Sequence, residues 1–142
     1  MHPIHPMLVH FPIALLSASM LCDLLALRWR PDEFRIAGLY TLVLGLAGAL
    51  LSVISGHMAE EAVEHSGVPE QILEIHEKLG FATFWIFAGL LGLRAAERLG
   101  WIGWQRMITI AVGMVAVLVL FVTSYYGGSL VYDYGAGVTL KQ

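Results

Sequence analysis

Charge is what this chain has least of. Asp, Glu, Lys and Arg make up 13% of its 142 residues, against about a quarter in soluble domains, and residues 36–56 contain none. With 58% hydrophobic residues and a mean hydropathy of +0.73, this scarcity excludes an ordinary water-soluble domain. Cysteine is nearly absent too: Cys22 stands alone, so there is no internal disulfide and no Cys-x-x-Cys pattern. Cys22 reads as packing within an apolar stretch. There is no Glu-x-x-His pair of the di-iron kind, no His-Glu-x-x-His of a zinc protease and no Cys-x-x-Cys-His for covalent haem. A phosphate-binding glycine loop is missing as well, and the charge pattern gives no reason to propose nucleic-acid binding.

What is there is hydrophobic length. Four spans are expected at about 7–27, 36–56, 76–96 and 107–126, each near the roughly 20 residues that cross a bilayer. They make residues 1–142 a single all-α domain, a four-helix transmembrane bundle. The first span lacks a basic leader and a small-residue cleavage site, so it reads as a retained helix. The expected breaks are Arg28-Trp-Arg-Pro-Asp, a polar stretch over residues 57–78, Gly100-Trp-Ile-Gly, and a glycine-rich tail from Gly127. The third helix should begin near Pro69, since proline suits a first turn.

Arg28, Arg30, Arg35, Arg94, Arg98 and Arg106 fall beside the first and third connections, six of the eight basic residues. Cytoplasmic loops retain such residues. Both termini are therefore expected on the outer, periplasmic side of a bacterial inner membrane. Trp29, Trp101 and Trp104 would mark the inner interface, with Tyr125 and Tyr126 at the outer one. Small residues at Gly45, Gly48, Ala49, Ser52 and Gly56, and at Gly89, Gly92, Gly113 and Ala116, offer close helix contacts. Asp23 lies roughly 20 Å along the helix from His10 at 1.5 Å per residue, which favours an ion pair near the arginine end.

Five of the six histidines, His2, His5, His10, His57 and His76, lie close to span ends that the topology brings to one face. Histidine is the commonest metal ligand. His10, just before Pro12 in the first turn, is the foremost candidate. His76 is the second, on a face shared with Gly80 and Thr83. His57, Glu61 and His65 form an i, i+4, i+8 series, which can hold a zinc, copper or iron ion or be a plain solvated face. His5, five residues before His10, would not align with it on a helix, although an extended N-terminal segment could fold it back over the site. His2 reads as free.

The motifs His5-Pro-Met-Leu-Val-His-Phe-Pro-Ile-Ala-Leu-Leu, the later Asp23, Ser55-Gly-His-Met-Ala, and Gly127-Gly-Ser-Leu-Val-Tyr-Asp-Tyr-Gly-Ala-Gly-Val resemble the bacterial membrane proteins grouped as domain of unknown function 2231. The resemblance covers nearly the whole chain. It implies a context of respiratory electron transfer, because relatives occur joined to Rieske-type iron–sulfur or c-type haem domains. A Rieske-type or c-type cytochrome partner, or a larger respiratory complex, would supply the rest of the path. Tyr134 stands where relatives can carry histidine.

The leading expectation is an electron-transfer subunit in the lipid bilayer, rather than a stand-alone enzyme. It would bind one b-type haem near the outer face through His10 and His76. The alternatives are a divalent-metal-binding or transport protein using His57, Glu61 and His65, and a cofactor-free anchor subunit.

Overall fold

A computed structural model describes residues 4–64, 67–101 and 106–136, which contain helices and no strand. Helices α1 (His5–Leu8) and α2 (His10–Leu25) form one rod interrupted at Val9. Pro12 has no N–H to give the Leu8 carbonyl, which breaks the ladder there, while Val9 keeps helical angles of φ −63 and ψ −26. After the turn at Arg30, whose φ is 35, Pro31 opens α3 (Pro31–Glu64), with Asp32 and Glu33 at the positive end of its dipole. Helix α4 (Glu70–Arg98) follows Pro69, and α5 (Arg106–Tyr132) completes the bundle. Gly100 at φ 72 ends α4, and the Trp101 N–H closes onto the Ala96 carbonyl at 3.0 Å.

Among the described residues, four stretches are long and apolar enough to cross a membrane: His5–Leu25, Pro31–Ala59, Glu70–Arg98 and Arg106–Tyr132. Two segments expected as breaks are helical instead. The polar stretch after Gly56 carries α3 on to Glu64, because Met, Ala and Glu are strong helix formers, while α4 starts at Glu70, directly after Pro69 as expected. The glycine-rich tail begins inside α5, which runs through Gly127 and Gly128 to Tyr132. Beyond it, Ala136 packs with Leu130 and Val68 over the same end of the bundle.

The helices pack in the cyclic order α2, α3, α4, α5, so α2 and α4 face each other diagonally. The core is Leu16, Leu42, Leu46, Ala49, Phe87, Leu90, Ala116 and Leu120. Its register repeats. Gly38, Leu42, Gly45, Ala49 and Ser52 of α3 are buried, and so are Thr109, Gly113, Ala116, Leu120 and Thr123 of α5, each 71 positions later. Pro12, Leu16 and Ser19 of α2 correspond in the same way to Thr83, Phe87 and Leu90 of α4. The bundle is thus two equivalent helical hairpins about a pseudo-twofold axis parallel to the helices, the parallel-repeat arrangement of some transporters.

The small residues act unevenly. A Cβ on Gly45 would sit 2.7 Å from Leu16 Cδ2, and one on Gly113 2.6 Å from Met20 Sδ, so both glycines set interhelix distance. Gly89 and Gly92, expected to do likewise, are exposed with nothing within 4 Å. Trp29 and Trp101 are exposed at the arginine end, whereas Trp104 lies outside the described residues.

Asp23 and Arg94, again 71 positions apart, form an ion pair across the axis. Arg94 is therefore interior, 8% exposed, rather than a loop cation. Its Nη1 also donates to Ser19 Oγ at 2.8 Å and to the Gly38 carbonyl at 3.0 Å. Removing one member of such a pair strands the other charge, at a cost of about 3–5 kcal/mol, whereas an apolar pair of similar volume can be neutral or better. Thermal unfolding in detergent should show Asp23→Ala strongly destabilised and the double variant Asp23→Leu, Arg94→Met recovering most of the loss; equal destabilisation in both would refute this account.

Candidate functional site

At the end of the α1–α2 rod and of α4 far from the ion pair, His5 of α1 and His76 of α4 stand across the axis, ring centroids 6.2 Å apart and planes at 78°. These two are also 71 positions apart, and their surroundings match. His5 Nδ1 donates to the Ser52 carbonyl of α3 at 2.9 Å, and His76 Nδ1 to the Thr123 carbonyl of α5 at 3.1 Å. Since a carbonyl only accepts, both rings hold their proton on Nδ1 and leave Nε2 with its lone pair.

The sequence builds each contact the same way. A helical carbonyl has one lone pair committed to the N–H four residues on and a second to spare. The residue four positions on is glycine in both helices, Gly56 and Gly127, which lets an imidazole lie against the backbone. A Cβ on Gly127 would be 2.8 Å from His76 Cε1, and one on Gly56 3.1 Å from His5 Cε1. Neighbouring hydroxyls stiffen both cradles. Ser55 Oγ lies 3.1 Å from His5 Nδ1 and donates to the Ser52 carbonyl at 3.0 Å, while the Thr83 and Thr123 hydroxyls meet at 2.9 Å between α4 and α5.

Beside the pair lies a cavity of about 480 Å³, within the range of small-molecule and cofactor sites, lined mainly by apolar groups. Leu16 and Leu120 line its inner part; Gly80 and Gly128 border it, and a Cβ on either would meet nothing within 4 Å. Gly80 therefore shares a cavity with His76 and Thr83, as their spacing on one helix suggested.

His10 borders the same cavity but is exposed, its Nδ1 donating to the Pro6 carbonyl at 2.8 Å. The side chain opposite His76 is that of His5. Five residues turn a helix by about 500°, leaving His5 and His10 roughly 140° apart, so one rod cannot present both to α4. His57 is 73% exposed, with Nδ1 3.8 Å from Glu77 Oε1. His2, His65 and the side chain of Glu61 lie outside the described residues. Among the described residues no group of three or more His, Cys, Asp or Glu side chains is placed to hold a metal ion.

On sequence alone His5 reaches the site only through an extended N-terminal segment, because each histidine is weighed against its own helix; in the structure His5 reaches it from helix α1. The available signal was the recurrence, in both halves, of a histidine followed 47 positions later by Ser or Thr and four further on by Gly. Neither the curated proteins nor the solved structures offer a match to the chain. A family model described as a predicted membrane protein of unknown function, DUF2231, matches residues 1–140. On that match, spanning both histidine cradles and all four membrane helices, the chain belongs to the DUF2231 family of membrane proteins.

Proposed function

We propose that the chain is a membrane electron-transfer subunit that holds one b-type haem between His5 and His76. The observation that carries the proposal is the matched pair of imidazoles, each tied through Nδ1 to a backbone carbonyl with Nε2 left over. Metal-bound histidines characteristically donate the other ring N–H to a carbonyl or carboxylate, which fixes tautomer and orientation. The separation suits the group. The ring centroids are 6.2 Å apart, close enough that His5 and His76 would both be able to hold one shared group. An edge-to-face ring pair has similar spacing, so the weight rests on the Nδ1–H bonds, the glycine cradles and the adjoining apolar cavity.

Bound there, haem iron would supply a one-electron couple whose potential is set by axial ligands, hydrogen bonding and burial. The chain's own part is positional. Ser52 and Thr123 hold the ring protons on Nδ1, Gly56 and Gly127 seat the rings, and the apolar lining excludes water. Four histidine ligands would be needed for a second haem, and the arginine end has none. The remaining loop arginines support an orientation with the histidine end outward in a bacterial inner membrane. A Rieske-type or c-type cytochrome domain or subunit is the exchange partner that the family resemblance suggests.

Protein purified from haem-sufficient cells should show a Soret band with the spectrum of a six-coordinate, bis-histidine b-type cytochrome. His5→Ala and His76→Ala should each lose that six-coordinate spectrum, and His10→Ala should keep it. Colourless protein, or a band lost in His10→Ala and kept in His5→Ala, would sink the assignment. Stoichiometric zinc or copper sensitive to His57→Ala would instead point to the ion-binding alternative.

The cradles give a graded result as well. Gly127→Ala, whose Cβ would press on His76 at 2.8 Å, should weaken haem retention by about tenfold, the order seen for changes behind a ligand. Gly56→Ala, at 3.1 Å, should weaken it less. Haem titration of the two variants measures both, and equal retention in wild type and Gly127→Ala would contradict the cradle.

A further inference from the structure

The arginine end holds a second cavity, about 600 Å³, on the same pseudo-twofold axis and without any histidine. Three pairs of residues 71 positions apart line it: Asp23 and Arg94 at its inner part, Arg35 and Arg106 from the starts of α3 and α5, and Leu39 and Ile110 on its apolar wall. We infer that this cavity is a binding site for the phosphodiester of an anionic phospholipid, with Arg35, Arg98 and Arg106 as its donors.

The charge arrangement supports an anion. Asp23 is committed to Arg94, and the Glu97 carboxylate accepts from the Thr109 hydroxyl. Arg35, Arg98 and Arg106 make no hydrogen bond or ion pair with a described residue, unlike Arg30, which pairs with Glu33 at 3.2 Å. Arg94, 8% exposed, also has a buried Nε without a partner. Once Asp23 and Arg94 cancel, three arginines face Asp32 and Glu97, a surplus of one positive charge that a phosphodiester monoanion would neutralise. Guanidinium forks match phosphate oxygens in pairs.

The source of the phosphate follows from depth and from the walls. Exposed Trp29 and Trp101 flank this end, where indole rings settle at headgroup level. Leu39, Ile36 and Ile110 give the cavity an apolar side suited to the start of an acyl chain. Basic pockets between membrane helices on the arginine-rich side take up such headgroups. The inference is independent of what the histidine pair binds.

The test uses the full chain in neutral detergent, with thermal unfolding and native mass spectrometry in the presence of phosphatidylglycerol, phosphatidylcholine or inorganic phosphate. Phosphatidylglycerol should raise the melting temperature and remain bound at one per chain, and the other two should do neither. The double variant Arg35→Gln, Arg106→Gln should weaken that binding by at least about tenfold, with Arg28→Gln, Arg30→Gln, outside the cavity at the same end, unchanged. Should the glutamine variant fail to fold, Arg35→Lys, Arg106→Lys keeps the charge, loses the fork and should bind several-fold more weakly. Equal stabilisation by phosphatidylcholine, full reproduction of the effect by inorganic phosphate, or equal losses in the two glutamine variants would overturn the inference. So would unchanged binding in the lysine variant.

Discussion

Everything in this bundle is arranged about the contact between α2 and α4, the diagonal helices, and one ion pair crosses it in the interior. Arg94 reaches through the core to Asp23, Ser19 Oγ and the Gly38 carbonyl, so a single guanidinium ties α4 to both helices of the other hairpin. In hydrocarbon no water can replace those partners, and polar groups must be satisfied within the protein. Once the two hairpins are pinned at that level, rigid helices carry the alignment to the opposite end. There His5 and His76 meet across the same axis.

The pseudo-twofold explains why two unlike chemistries sit at the two ends of one axis. Equivalent positions in the hairpins face each other wherever they approach the axis, so any residue there is met by its counterpart 71 positions away. At one end the counterparts are identical, two histidines, and at the other they are opposite in charge, Asp23 and Arg94. Like imidazoles make a symmetric pair, whereas unlike charges make an internal lock. Between them lie Leu16, Phe87, Leu90 and Leu120, an apolar plug that keeps the two ends apart.

Close helix approach is selective. Gly45 and Gly113 press against α2, and Gly56 and Gly127 receive the histidine rings, yet Gly89 and Gly92 contact nothing. Small residues therefore permit contact in a membrane bundle without dictating it. The neighbour decides, through a leucine, a methionine or an imidazole at the same height.

Hydropathy and the scarcity of charge determined, from the sequence by itself, that the chain spans a membrane in four helices, because the bilayer admits few other solutions. Pro69 marked a helix start for local steric reasons, whereas Pro31, read as part of a break, opens α3, and the recurring histidines marked the end of the bundle where the candidate site lies. Local pattern was silent on which residues meet across the axis. Arg94 read as a loop cation and is an interior partner of Asp23, and His10 read as the foremost ligand although His5 faces His76. Helices α2 and α4 are separated by all of α3, so their rotation is set by which faces the other helices bury. Only the tertiary structure could decide that, since pairing across a bundle depends on packing between segments remote in sequence rather than on the residues beside each side chain.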